Sequence, residues 1–403
     1  MNRTIKNIGF LCLVYTLCVA CNNIVDYNDN YTADSDVPNE GAPVISAVYD
    51  VSDTKFETPI TEGNINQMVT IVGKNLNHVV SVKFNTVECD MANVYTASTK
   101  AVVQIPSKLS MENENKIAYT TDQGTAEYAF VIPFPDLTVS GVDCEFKNGG
   151  QTMTILGANF DLYGFDSGVS KVVLGGTTLT PEDITAKDMK VKIPEGTADN
   201  SLVVVEWATT SGQQLSASLP YRPTQHLLYG NFDGVDARID GPVSGNMTYE
   251  DDSQVSGATA SLGYKHIHIT GSYGAWAWNT IDLSRNMVEV DGDLSNLDDY
   301  VLKFEVLNAK NFPMPVETGL KFNFNWGNDW AWNIGDGAGI DTKGDWQTVT
   351  LPIAGMATKG ISRPGTWQTL RIIFQPSVAM DVDFRLGNFR IEKSKGNAVI
   401  QIF

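Results

Sequence analysis

Two tetrapeptides concentrate the chemistry this chain could do. Trp276-Ala277-Trp278-Asn279 recurs as Trp330-Ala331-Trp332-Asn333. On a β-strand, residues i and i+2 face the same way. Each copy would therefore present two indoles on one face, with alanine leaving room opposite. Asn279, Asn328, Asp329 and Asn333 stand beside these rings. A flat indole covers the apolar C–H face of a pyranose ring, adding area and dispersion at small entropic cost. Amides and carboxylates meet its hydroxyl rim. The set suits a neutral polysaccharide and needs no positive charge. Trp-x-Trp on an inward face would instead fill a core, so the expectation is that at least two of the four indoles face solvent. Trp346 and Trp367 introduce apolar strands and read as core. Trp326 continues the parity of Phe322 and Phe324 and reads as core too.

Other chemistries find less material. Jelly-roll glycosidases set two carboxylates about 5–5.5 Å or 6.5–9.5 Å apart. Some carry Glu-x-Asp-x-x-Glu on one strand. The nearest phrase here, Glu289-Val-Asp291-Gly-Asp293-Leu294, lacks the final Glu and holds a turn-forming Asp-Gly. It reads as a loop. No Gly-x-Ser-x-Gly elbow, phosphate loop or His-Glu-x-x-His is present. His266-x-His268 could share a strand face, but no third ligand is evident. Asp291, Asp293, Asp298 and Asp299 could hold Ca²⁺ through oxygen ligands, but they read more simply as a solvated acidic loop. The expectation is a protein without catalysis, cofactor or metal.

The elements that must position these residues follow from the rest of the chain. The 403 residues carry 47 Asp and Glu against 28 Lys and Arg, a net charge of −19. Such a surface argues against nucleic acid, whose phosphates need cations, and against a polybasic lipid patch. Residues 1–20 read as an export signal, with Arg3 and Lys6 ahead of the apolar run Ile8–Ala20. The run is too short to span a bilayer. It ends in Leu17-Cys18-Val19-Ala20-Cys21, which resembles the bacterial lipoprotein signal and implies acylation of Cys21. Residues 21–42, rich in Asn and Asp, read as a flexible tether. Cys89 and Cys144 could pair, but read as small buried residues.

Residues 43–223 are repetitive. Val69-Thr-Ile-Val-Gly-Lys-Asn-Leu76 matches Met153-Thr-Ile-Leu-Gly-Ala-Asn-Phe160, 84 residues on. Ala101-Val-Val-Gln-Ile-Pro106 answers Met189-Lys-Val-Lys-Ile-Pro194, 88 on. These are two copies of one unit, 43–136 and 137–223. Short alternating runs broken by Gly, Asn and Pro imply antiparallel sandwiches. Gly-x-Asn-(Leu/Phe) suits a turn needing positive φ. Residues 224–403 hold seven of the eight Trp. Their strand-like runs suggest one larger jelly-roll-like sandwich. The fold class is therefore all-β throughout.

The paired phrases resemble IPT/TIG immunoglobulin-like domains, which recur as spacers in surface proteins. The whole layout, from lipoprotein signal and acidic tether through two such domains to a Trp-rich sandwich, resembles the cell-surface glycan-binding proteins of Bacteroidetes polysaccharide-utilisation systems. Xyloglucan and other β-glucan binders are the nearest type. Asp26 and Asp29, soon after Cys21, resemble the signal for the outer face of the outer membrane. The resemblance implies a non-catalytic, lipid-anchored outer-membrane protein facing the exterior, whose partners are a neutral β-glucan-type polysaccharide and a TonB-dependent transporter complex. It implies that Trp276, Trp278, Trp330 and Trp332 stack on the glycan. A jelly-roll glycoside hydrolase and a surface adhesin are the alternatives, since protein-binding patches also favour Trp and Tyr.

Overall fold

The computed structural model describes residues 37–401 except 109–113, 234, 241–244, 256–259, 291 and 395–399. Cys21, with the signal and most of the tether, lies outside the described residues, as does Asp291. Every regular element among the described residues is a β-strand or a short 3-10 turn. The chain is all-β and divides into two compact units after Phe134.

The first unit is a sandwich of two four-stranded antiparallel sheets. One orders Val44–Asp50, Met68–Lys74, Lys100–Gln104 and Tyr95–Ala97. The other orders Val87–Glu88, Val79–Phe84, Lys116–Thr121 and Gly124–Ala129. Alternate side chains (Val69 and Ile71, Val82 and Phe84, Ile117 and Tyr119) turn inward and are fully buried, as a period of two requires. The second copy, which opens the second unit, repeats this plan with Thr152–Ala158 and Ser201–Ala208 as central strands.

Gly-x-Asn-(Leu/Phe) divides its work in the same way in both copies. The left-handed residue is the Asn, with φ 57° at Asn75 and 67° at Asn159. The Gly supplies space. A β-carbon on Gly73 would lie 1.9 Å from the Val44 carbonyl oxygen, and one on Gly157 would lie 2.0 Å from that of Thr138. Leu76 and Phe160 then enter the core.

The terminal domain is a sandwich of two five-stranded sheets. Its strands are β1 (Asp236–Asp240), β2 (Gly245–Glu250), β3 (His266–Tyr273), β4 (Asn279–Asn286), β5 (Tyr300–Asn308), β6 (Leu320–Phe324), β7 (Trp330–Ala331), β8 (Gln347–Pro352), β9 (Trp367–Phe374) and β10 (Met380–Lys393). One sheet runs β1-β4-β9-β6-β7, the other β2-β3-β10-β5-β8. Ile281, Leu283, Phe322, Phe324, Leu370 and Ile372 of the first meet Ile267, Ile269, Leu302, Phe304, Phe384 and Leu386 of the second. Each such side chain contributes about 1.5–3 kcal/mol on burial.

Sequence alone reads the second Ig-like domain as a spacer; the structure packs it onto the outer face of β5, β8 and β10. Cys144 and Phe146 join Leu227, Ala260, Leu262, Leu307 and Trp346 in one apolar cluster. The Asp143 carbonyl accepts from the Thr348 amide at 2.9 Å, and the Glu145 amide donates to Thr348 Oγ1 at 2.8 Å. A buried ionic group closes the contact. Arg390 donates to Glu305 at 2.9 and 3.0 Å, to Glu145 at 2.7 Å and to Glu392 at 3.0 Å. Lys303 donates to Glu145 at 2.6 Å and lies 2.9 Å from Glu392. Burial pushes the Glu305 carboxyl up to about 7, against the pull of Arg390. Cys144 in this contact and Cys89 in the first unit are both buried free thiols. Burial raises Cys89 to about 12 and Cys144 well above its usual value.

Candidate functional site

The sheet β1-β4-β9-β6-β7 has a second face, pointing away from the core. With Ile281, Leu283, Leu370, Ile372 and Phe322 turned inward, alternation sends Thr280, Asp282 and Ser284 of β4 outward. The same holds for Trp367, Thr369, Arg371 and Ile373 of β9, and for Lys321 and Asn323 of β6. Register aligns Asp282, Arg371 and Asn323 in one row and Thr280, Ile373 and Lys321 in another. Arg371 donates to both oxygens of Asp282, at 2.6 and 2.9 Å. Ser284 and Thr369 hydroxyls lie 2.8 Å apart. Asn323 Nδ2 donates to Asp329 at 2.7 Å. Thr280, Asp282, Ser284, Asn323 and Thr369 are nearly buried, so the polar floor is recessed.

Indoles stand over this floor. Trp278, just ahead of β4, is 41% exposed, Trp326 after β6 is 49% and Trp367 at the start of β9 is 56%. The ammonium of Lys321 lies 5.5 Å from the Trp278 ring centre, and the Arg371 guanidinium lies 3.9 Å from that of Trp326. Asn279 pairs with Phe374, and Asn286 with Trp367. Trp278 and Trp367 thus mark opposite ends of eight-residue strands, which span roughly 25 Å at about 3.4 Å per residue. Trp276, in the turn two residues before Trp278, is 66% exposed.

Local geometry explains why the rings point out. After Phe324 the chain takes two left-handed residues, Asn325 at φ 51° and Trp326 at φ 60°. Asn325 holds that turn. Its Nδ2 donates to the Gly360 carbonyl at 3.2 Å and Ser362 Oγ at 3.1 Å, and its Oδ1 accepts from the Thr369 amide at 3.2 Å. Trp276 is also left-handed, φ 62°, with its amide donating to the Pro376 carbonyl. Positive φ is a genuine outlier for a bulky aromatic. Such strain, about 1–3 kcal/mol, clusters at ligand clamps.

The two Trp-Ala-Trp-Asn copies do not share one geometry. The first forms a turn and enters β4 only at Asn279, so its indoles do not ride one strand face. Asn279 is buried, its amide donating to the carbonyls of Ala277 and Phe374 at 3.1 Å. It cannot meet a ligand as the sequence suggests. In the second copy Trp330 is half-buried, seated where Gly355 leaves room for it. Trp332 is only 7% exposed and stands edge-on to Phe304 with ring centres 5.6 Å apart. It is core, because the short edge strand β7 turns it inward. Asn328, Asp329 and Asn333 are exposed; of these, Asp329 is tied to the recessed floor through Asn323. Trp346 is buried, though in the domain contact rather than inside the sandwich.

Trp326 and Trp367, expected in the core, are at the surface. The chain turns at Asn325, which ends the parity of Phe322 and Phe324. Trp367 has the parity of Thr369 and Arg371, opposite to Leu370, Ile372 and Phe374; that alternation was readable in the sequence. His268 sits between Glu250 and Asp383, while His266 is buried against Trp346. Burial holds His266 below its usual pKa. Asp293 accepts from the Ser295 amide and hydroxyl, which lowers its pKa. Among the described residues no three His, Cys, Asp or Glu side chains gather as metal ligands.

Comparison with known proteins fits this geometry. Residues 226–393 match the family described as the surface glycan-binding protein B xyloglucan binding domain, and residues 56–132 and 137–222 each match the IPT/TIG domain. An IPT/TIG domain-containing protein of Bacteroides ovatus is 28% identical over 160 residues, 38% of this chain. The match spans 30% of that relative's length. Among solved structures, the surface glycan-binding protein PbSGBP-B of Prevotella bryantii has a TM-score of 0.52 at 18% identity, covering 89% of this chain and 100% of its own. SGBP-B from a complex xyloglucan utilization locus of Bacteroides uniformis has a TM-score of 0.46 at 17% identity, covering 87% and 99%. Two stretches that match the IPT/TIG domain thus lead into one, residues 226–393, that matches the surface glycan-binding protein B xyloglucan binding domain.

Proposed function

We propose that the terminal domain binds a neutral β-glucan-type polysaccharide, with xyloglucan the first candidate, and does not cleave it. The carrying observation is the open sheet face on which Trp278, Trp326 and Trp367 stand over a recessed polar floor. The matched family is named for xyloglucan binding, and PbSGBP-B is named as a glycan binder. Indoles at both ends of a face roughly 25 Å long suit an extended chain several sugars in length. Arg371 is already neutralised by Asp282, which suits an uncharged ligand. Affinity electrophoresis through xyloglucan and through mixed-linkage β-glucan tests the reading. Retardation is expected without release of reducing sugar, and raised salt should change it little because no counterions are released. Reducing sugar would move the protein to the hydrolases. Absence of both would favour an adhesin.

The same reading places the chain on the outer face of the outer membrane, held by acyl groups on Cys21 and serving a TonB-dependent uptake complex. Cys21→Ala should leave an unprocessed or soluble protein, and protease added to intact cells should degrade the wild type. Co-purification with a TonB-dependent transporter would support the partnership. A wild-type protein found soluble in the periplasm would overturn the anchor.

A further inference from the structure

We infer that Arg371 and Lys321 are positioning residues: each is a tethered cation that underlies one indole and fixes the plane it presents to the glycan. The inference rests on the proposed glycan-binding reading of this face. An exposed Trp gains little from pointing at solvent, and an indole free to swing would lose orientational freedom on stacking. Both rings instead have a cation against them. The Arg371 guanidinium is 3.9 Å from the Trp326 ring centre, near the stacking distance of two flat groups. The Lys321 ammonium is 5.5 Å from that of Trp278, inside the ~6 Å reach of a cation–π contact.

Each cation is itself held. Arg371 is clamped by the two hydrogen bonds it donates to Asp282, a fixed fork that Lys could not reproduce. Lys321 donates to Gln375 Oε1 at 2.8 Å. Register places Arg371 between Asp282 and Asn323, and Lys321 across from Ile373. Both tethers are therefore built into the sheet. Both residues remain about half exposed, 49% for Trp326 and 41% for Trp278, so each still has surface to offer a ligand. The Trp326 backbone, at φ 60°, is fixed by the turn that Asn325 holds through Gly360, Ser362 and Thr369. Clamp and hydrogen-bonded turn act together, so the platform is ordered before ligand arrives, which lowers the cost of binding.

The test is a double-mutant cycle in the whole chain, with xyloglucan as probe and titration calorimetry as readout. Arg371→Met is made together with Asp282→Asn, so that no unpaired carboxylate is left buried. It is compared with Trp326→Ala, with all three changes combined, and with Arg371→Lys. Losing the cation should weaken binding about tenfold, the scale of a desolvated cation–π contact. It should also reduce the near-ultraviolet dichroism of the free protein, a signature of a loosened indole. In the Trp326→Ala background the same change should cost nothing further, because the cation acts through the ring. Arg371→Lys should recover part of the affinity, and Lys321→Met should act likewise on Trp278. Equal losses in both backgrounds would mean that Arg371 meets sugar directly and would overturn the inference. Unchanged affinity and dichroism in a folded variant would also overturn it. If Trp278→Ala and Trp326→Ala themselves left binding intact, the reading of the face would fall first.

Discussion

Where an indole sits decides whether its loss costs binding or stability. Trp278 and Trp326 have open ring faces, whereas Trp332 stands edge-on to Phe304 inside the sandwich. Trp278→Ala or Trp326→Ala should remove contact worth a few kcal/mol at most, one to two decades of affinity, with little change in Tm. Trp332→Ala should cost about 3–5 kcal/mol of stability while the folded fraction still binds. Calorimetric melting and glycan titration on each variant check both halves; a sharp fall in Tm for Trp326→Ala would return that ring to the core. Sequence singled out the segment that carries the indole face, because Trp is concentrated there. It misassigned individual rings where a turn intervened. Nothing local announces that Asn325 will go left-handed and throw Trp326 outward. Trp367 was recoverable, since Leu370, Ile372 and Phe374 set the parity.

At the scale of elements, repeats and strands were legible because each rests on local pattern. Gly-x-Asn appears twice, and in both places the Gly clears a neighbouring carbonyl while the Asn takes positive φ. The docking of the 143–148 segment onto β5 and β10 was not legible. Glu145 and Arg390 are 245 residues apart, and a lone acid in a turn carries no sign of its partner. That contact should set a pH dependence. Burial holds the folded Glu305 carboxyl at about 7 against an ordinary 4.5. Between those values the folded chain keeps a proton that the unfolded chain has released. The contribution is full below about pH 4.5 and is lost as pH rises through about 7. Desolvation pushes the Glu392 carboxyl up, but Arg390 and Lys303 together outweigh it and hold its pKa below the ordinary value, so its contribution is lost only at lower pH. Over pH 4.5–7 the wild type should therefore lose stability relative to Glu305→Gln. Melting curves of both proteins across that window read the difference, and parallel profiles would disprove the assignment.

At the scale of the whole molecule, the second Ig-like domain shares one compact unit with the terminal sandwich, which predicts that it is not a detachable spacer. The unit 135–403 contains both it and the glycan-binding domain. Cutting at residue 223 would uncover Leu307 and Trp346 and strip Glu145 from Arg390 and Lys303. Breaking a buried ion pair by removing one partner costs about 3–5 kcal/mol, and the exposed apolar cluster adds to that. Net stabilities of domains are only about 5–15 kcal/mol, so the cut consumes a large share. Residues 135–403 should fold cooperatively and show the same retention on xyloglucan as the whole chain, because the indole face lies on the opposite sheet from the docked domain. Residues 224–403 should melt at least several degrees lower, or aggregate, and regain stability with Arg390→Met together with Glu305→Gln, which replaces the stranded charges. Equal Tm values for the two fragments would show that the contact contributes no net stability and would restore the spacer reading. Equal affinity with unequal Tm is the expected result, because the ionic contact lies on one sheet and the indole face on the other.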